Sequence, residues 1–129
     1  MQNVTSGAND RVSKIVSNVI RVLLAIAFLA AAARKLAGVP TMVQVFQNIG
    51  LGQGFRYVTA IVEIIGAIAL FVPGRIAFAA LWLGVTMAFA TLAHLFILHS
   101  NPGGAVLLFA LSITLAWLRR KELPLGSIN

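Results

Sequence analysis

The chain has 129 residues, of which 60% are hydrophobic and 10% charged, with a formal net charge of +7 and a mean hydropathy of +0.95. Soluble domains carry about 25% charged residues, so this chain has too few to cover a water-facing surface. The absence of cysteine excludes disulfide bonds, thiol redox chemistry and thiolate metal sites. The length corresponds to one domain.

Four apolar runs predict four transmembrane helices. They cover residues 19–36, 57–72, 76–98 and 104–118. The first and third reach the roughly 20 residues that cross a bilayer, and local thinning of the bilayer would accommodate the other two. Short Pro-Gly turns join the last three runs and favour antiparallel neighbours. The prediction is an all-α integral membrane antiparallel four-helix bundle at residues 15–121, with a flexible N-terminal tail at 1–14 and a C-terminal tail at 122–129.

Basic residues predict the orientation of these spans. Seven of the ten fall on one side, namely Arg11, Lys14, Arg21, Arg75, Arg119, Arg120 and Lys121. The other side has Arg34, Lys35 and Arg56. Cytoplasmic segments retain the excess of Lys and Arg, so we expect a multi-pass protein of the cell inner (plasma) membrane with both termini in the cytoplasm. Because the cations flank apolar runs, the expected partner is the lipid bilayer and not nucleic acid.

Residues 22–33 also fit a cleavable signal peptide, since an apolar segment is followed there by small residues. Arg34 and Lys35 follow this segment directly, and the remainder of the chain is too apolar for a secreted protein. An uncleaved first helix is therefore the favoured interpretation.

A short helix is expected in the first outer loop. Thr41 and Gln44 have the spacing of a capping box, and Gly50 can end a helix. The apolar residues between them share one helical face. The sequence leaves two roles open for this interfacial helix, a lid over the mouth of the bundle or a loop helix that only packs on it.

Glu63 is an acidic residue inside an apolar run, and no other acid occurs between Asp10 and Glu122. An unpaired carboxylate in hydrocarbon costs several kcal/mol, so Glu63 needs a partner or a polar cavity. Small residues share its helical stripe, namely Thr59, Ala60, Gly66 and Ala67. Such residues mark the face where helices approach closely, so Glu63 is expected to point into the bundle.

The topology brings several polar residues to the level of Glu63. Arg34 and Lys35 end the first span on that side, and Thr91 and His94 lie on one face of the third. These five residues are candidates for a ligand or proton site, because ionisable groups inside membranes often mark such sites. The alternative is a structural ion pair between Glu63 and Lys35, with His94 as a neutral hydrogen-bonding partner. Both roles remain open, and a layer that serves both is the favoured hypothesis.

The sequence predicts neither a metal site nor an independent enzyme. His94 and His99 are five residues apart, whereas helical histidines that chelate one metal are four apart. The chain has no Ser-His-Asp set, paired acids or phosphate loop, so its catalytic residues are unknown and a non-catalytic subunit is favoured.

Four short motifs occur in order along residues 21–118. They are FLAAAARKL at 28–36, IGL at 49–51, VEIIGA at 62–67 and AH at 93–94. Their order resembles the DoxX-like family of small four-helix membrane proteins, and this resemblance implies Lys35, Glu63 and His94 as the matched polar positions. Ala32 and Gly52 stand where the family often has glycine and proline. These departures concern the subfamily more than the fold.

The resemblance also implies a range of functions. Proteins of this fold resemble the small subunit of thiosulfate:quinone oxidoreductase, components of membrane redox complexes, and eukaryotic assembly chaperones. We therefore expect an accessory subunit of a quinone-linked redox or oxidative-stress complex, with a membrane redox partner protein and a quinone as candidate cofactor. The alternatives are a small-ligand binding or transport protein with a polar intramembrane site, and a membrane-protein assembly factor. The sequence is compatible with a homo-oligomer.

Overall fold

Helices follow the apolar runs of the sequence. The computed structural model describes residues 2–124, and regular secondary structure in this range is helical throughout, which confirms the all-α prediction. The helices are α1 (Gln2–Ala37), α2 (Pro40–Ile49), α3 (Gln53–Ala69), α4 (Ile76–Ala93) and α5 (Gly103–Leu118). A π-helical turn (His94–Leu98) continues α4, and a 3₁₀ turn (Arg120–Glu122) follows α5.

The first helix begins earlier than the sequence predicts. α1 includes residues 2–14, where a flexible tail was expected. Extending an existing helix adds one hydrogen bond per ordered residue without a new nucleation cost, and no proline interrupts the chain before Pro40. At the other terminus, Leu125–Asn129 of the expected C-terminal tail lie outside the described residues.

A Schellman turn ends α1. Gly38 has a φ of 67°, its N–H donates to the Lys35 carbonyl at 3.2 Å, and the Val39 N–H donates to the Arg34 carbonyl at 3.3 Å. Glycine adopts this left-handed backbone conformation without a steric cost. Pro40 then starts α2, since proline at the first helical position loses no intrahelical hydrogen bond.

The short helix of the first outer loop is present as α2. The capping box expected from Thr41 and Gln44 is wrong, because α2 begins at Pro40 and no side chain caps it. A bend of 110° separates α2 from α3. The rings of Phe46 and Phe55 meet edge to face across this bend, 5.9 Å between centroids, and hold α2 against α3.

The four longer helices pack in a ring, in which α1 and α4 each contact both α3 and α5. Their shared core consists of large apolar side chains, chiefly Leu24, Phe28, Leu70, Ile76, Leu83 and Leu115. The outward faces are also apolar and expose many large side chains, among them Ile26, Ile68, Phe89 and Phe96. Soluble monomers rarely expose apolar surface of this extent, so these faces are suited to contact with lipid or a partner protein.

Two helices are long and apolar enough to cross a membrane. They are α1 and the continuous unit of α4 with its π-helical turn. The bent α2–α3 pair is a third candidate, and α5 is apolar but has only 16 residues. Length and composition thus give two or three candidate spans.

α4 packs closely against α3 at Gly66. A Cβ atom at Gly66 would lie 2.5 Å from Leu83 Cδ2 and 3.0 Å from Trp82 Cδ1. The Trp82 indole also donates to the Val62 carbonyl at 3.0 Å. Small residues permit such close helix packing in lipid, as the small-residue stripe of α3 predicts.

We predict that Gly66→Ala lowers the free energy of unfolding by about 1–3 kcal/mol, because the added methyl group must displace the buried Leu83 side chain. The matched control is Gly54→Ala, since an added Cβ at Gly54 in the first turn of α3 meets no atom within 4 Å. Thermal unfolding in detergent measures both variants. Equal melting temperatures for the two would contradict the close approach.

Candidate functional site

An ion pair joins α1 to α3. The Lys35 ammonium donates to Glu63 Oε1 at 2.5 Å, which confirms the pairing that the sequence predicts. The Glu63 side chain is only 2% exposed and that of Lys35 is 15% exposed. Lys35 rather than Arg34 is the partner, since Arg34 lies on an exposed face of α1.

Helical periodicity places Glu63 in the interior. The buried residues of α3 recur every three or four positions and form one stripe, namely Arg56, Ala60, Glu63, Gly66 and Ala67. This stripe packs against α1 and α4. Lys35 lies in the last turn of α1, where the long side chain reaches Glu63 and the helix dipole favours a positive charge.

A second cation, Arg56, is also buried in the interior, with 6% of its surface exposed. Its Nη1 donates to the Lys35 carbonyl, its Nε donates to Gln53 Oε1 at 2.9 Å, and its Nη2 donates to the Tyr57 hydroxyl at 3.3 Å. The guanidinium also lies over the Tyr57 ring, 4.5 Å from the centroid. Arg56 is therefore a second donor, beside the Gly38 N–H, to a carbonyl in the last turn of α1, where the helix itself supplies no donors.

Two neighbours fix the position of Arg56. A Cβ atom at Gly38 would lie 3.3 Å from Arg56 Nη1, so the glycine that ends α1 also leaves room for the guanidinium. Gln53, which accepts from Arg56, donates in turn to the Val43 carbonyl of α2 at 3.1 Å. The hydrogen bonds thus run continuously from α2 through Arg56 to the end of α1.

His94 and Thr91 bond within their own segment. His94 Nδ1 and Ser100 Oγ are hydrogen-bonded at 2.7 Å, and the Thr91 hydroxyl donates to the Met87 carbonyl at 2.8 Å. Within residues 7–124, the ion pairs and hydrogen bonds of Glu63 side-chain atoms involve Lys35 and not His94. A ligand or proton role for these residues stays a prediction.

The Glu63 carboxylate takes part in charge pairing. In the part of the chain that the structure describes, no three histidine or acidic side chains converge as metal ligands would. A ligand that took both oxygens of the Glu63 carboxylate would have to compete with Lys35 for Oε1.

The sequence predicts Arg56 only as a cation that flanks the second apolar run, and does not predict that its side chain is buried. The available signal was its spacing, because Arg56 and Glu63 are seven residues apart and therefore lie on the same helical face. Its acceptor is a backbone carbonyl of α1, which no side-chain pattern reveals.

We predict that Arg56→Met lowers the free energy of unfolding by about 1–3 kcal/mol, because it leaves Gln53 Oε1 without its donor and removes the second donor to the Lys35 carbonyl. Arg56→Lys should recover only part of this loss, since one ammonium cannot reproduce the planar set of donors.

The control for this substitution is Arg34→Met, which removes the same charge from an exposed position nearby. Thermal unfolding in detergent should change little for the control. An Arg56→Met protein as stable as the control would contradict the role assigned to Arg56.

The comparison with known families covers most of the chain. The sequence profile of the DoxX-like family matches residues 19–118, which include α3, α4, both members of the ion pair, and Arg56. No match was found among curated proteins or among solved structures. Family and apolar helices together indicate a membrane protein. The match spans far more than half of the 129 residues, and the chain therefore belongs to the DoxX-like family.

Proposed function

We propose that the protein crosses the inner (plasma) membrane four times as an antiparallel bundle of α1, α3, α4 and α5, with both termini in the cytoplasm. The ring of contacts among these helices and their apolar outward faces support this arrangement. α3 and α5 have 17 and 16 residues, and local thinning of the bilayer accommodates spans of this length. The seven-to-three distribution of basic residues supports the orientation.

The cysteine-free sequence allows a direct test of this topology with single introduced cysteines. Thr41 in α2 and Arg11 in α1 are both exposed and lie on opposite sides in the proposed topology. In intact spheroplasts, a membrane-impermeant maleimide should label Thr41→Cys, and it should label Arg11→Cys only after lysis. The reverse pattern, or labelling of both before lysis, would contradict the topology.

We infer that the protein is a non-catalytic accessory subunit of a quinone-linked redox or oxidative-stress complex. The observation that carries this inference is the Lys35–Glu63 ion pair, in which the buried carboxylate of α3 is already neutralised within the chain. Such a pair is suited to holding two helices in register, and the outward apolar surface offers area for a larger partner. The choice of complex rests on the quinone-linked function that the sequence motifs of the DoxX-like family imply.

The function is tested in membranes from cells that lack the protein. We expect a lower rate of quinone-dependent oxygen uptake, restored by the wild-type gene, and the protein itself within the finished complex on a native gel. An unchanged rate would contradict the proposal. A lowered rate with the protein absent from the finished complex would favour an assembly factor, and loss of solute uptake alone would favour a transporter.

A double-mutant cycle separates helix pairing from ligand chemistry. We predict that Lys35→Met lowers the free energy of unfolding by about 3–5 kcal/mol, because it leaves the buried Glu63 carboxylate without a counterion. Glu63→Gln should cost less, since the partly exposed Lys35 ammonium can move toward the headgroups. The double variant should recover much of the loss and also restore quinone-dependent oxygen uptake.

The control for the cycle combines Lys35→Met with Asp10→Asn. This control also removes one positive and one negative charge. Asp10 is exposed in the N-terminal part of α1, so the stability lost through Lys35→Met should not be recovered. A double variant with recovered stability and no restored activity would contradict a purely structural pair and favour the ligand-site alternative.

A further inference from the structure

A cleft lies at the opposite end of α1 from the Lys35–Glu63 pair. Its volume is about 480 Å³, within the roughly 300–1,000 Å³ typical of small-molecule sites. One wall is a single face of α1, on which Asp10, Ser13, Lys14 and Ser17 recur every three or four residues. The other wall is the end of α5 and the 3₁₀ turn, residues 118–122.

The cleft has a positive charge. Four cationic and two anionic side chains line it, which gives a net charge of +2. Both oxygens of the anionic Glu122 are engaged, since Oε1 accepts from the Ala77 N–H at 3.0 Å and Oε2 pairs with Arg119 Nη2 at 3.2 Å. Lys14 and Lys121 are exposed and form no ion pair with any residue from 7 to 124.

Several buried polar atoms around the cleft lack partners. The Ser17 side chain is 1% exposed, and its hydroxyl has no hydrogen bond to the described residues. The same is true of the Nε atoms of Arg119 and Arg120. Most buried polar groups in proteins are hydrogen-bonded, so a cluster of unused donors around one positively charged cleft indicates an acceptor-rich ligand.

The surroundings of the cleft favour a lipid as the source of that ligand. Val12, Ile15 and Val16 expose apolar side chains on α1 beside the cleft-lining residues. Trp117 is exposed at the end of α5, and Arg120 lies over its ring, 4.2 Å from the centroid. Tryptophan and basic residues at helix ends occupy the headgroup level of a bilayer, and basic pockets at this level bind anionic headgroups.

We propose that this cleft binds the phosphoryl group of an anionic phospholipid, with Ser17, Lys14, Arg120 and Lys121 as donors to its oxygens. The acyl chains would then lie along the apolar outward faces of α1 and α5. This lipid site is independent of the proposed accessory function. It rests only on the proposal that the protein is integrated in the membrane. Bound lipid would link the N-terminal half of α1 to the end of α5, which belong to two helices that also contact each other.

The test uses the full chain in nanodiscs of phosphatidylcholine with or without phosphatidylglycerol. We expect native mass spectrometry to find phosphatidylglycerol retained in preference to phosphatidylcholine, and the melting temperature to rise with the phosphatidylglycerol content. Lys14→Gln/Lys121→Gln should weaken phosphatidylglycerol binding by about 10–30-fold. The control Arg11→Gln/Arg75→Gln removes two exposed charges outside the cleft and should bind as the wild type does.

Ser17→Ala gives a second measurement that does not alter charge. It should weaken phosphatidylglycerol binding several-fold and leave the melting temperature in pure phosphatidylcholine unchanged. The site would be overturned if the cleft variants and the control variant lost phosphatidylglycerol binding equally, or if all of them bound it as the wild type does. If inorganic phosphate raised the melting temperature as much as phosphatidylglycerol does, the ligand would not be a lipid. Failure of the protein to enter nanodiscs would contradict the membrane topology instead.

Discussion

The ion pair between Lys35 and Glu63 is the interaction on which the packing of α1 against α3 depends. A buried carboxylate is stable only beside a counterion, so the pair favours the register of the two helices that keeps Lys35 within reach of Glu63. A shift of α3 by a single residue would turn Glu63 by about 100° and move it off the buried stripe. Gly66, one turn further along, then sets how closely α4 can approach.

The two ends of the protein use their cations differently. At the C-terminus of α1, Lys35 and Arg56 are satisfied inside the chain, by Glu63 and by the terminal carbonyl of α1. Both positive charges also lie near the negative end of the α1 helix dipole and interact favourably with it. At the N-terminal end of α1, Lys14 and Lys121 surround a cleft with unused donors. The first end is closed by internal pairing, and the second is suited to an external anion.

The sequence predicts the features that depend on periodicity and on the cost of burying charge. Helices coincide with the four apolar runs, and Glu63 pairs with the cation at the end of the first one. It does not predict contacts with backbone atoms, such as the bond from Arg56 to the Lys35 carbonyl. Residues 2–14 continue α1 although they are polar, because polarity alone does not stop a helix from extending, and their flexibility stays a prediction.

The position of His94 illustrates the same difference. Its place on the helix could be inferred from spacing, but its bond to Ser100 depends on the π-helical turn that ends α4. A π-helical turn shifts the register of the side chains by one residue relative to a regular helix. The sequence of this segment contains no pattern that predicts a π-helical turn. The His94 imidazole was therefore expected among the partners of Glu63.

Infrared difference spectroscopy of the wild type against Glu63→Gln would measure the ionisation of Glu63 directly. The chain has only three acidic side chains, so the spectrum can be assigned. A charged pair with Lys35 predicts that the substitution removes an ionised carboxylate band and leaves the region of protonated acids unchanged. Loss of a protonated carboxylic acid band would mean that Glu63 is neutral, and would contradict an ion pair as the basis of this fold.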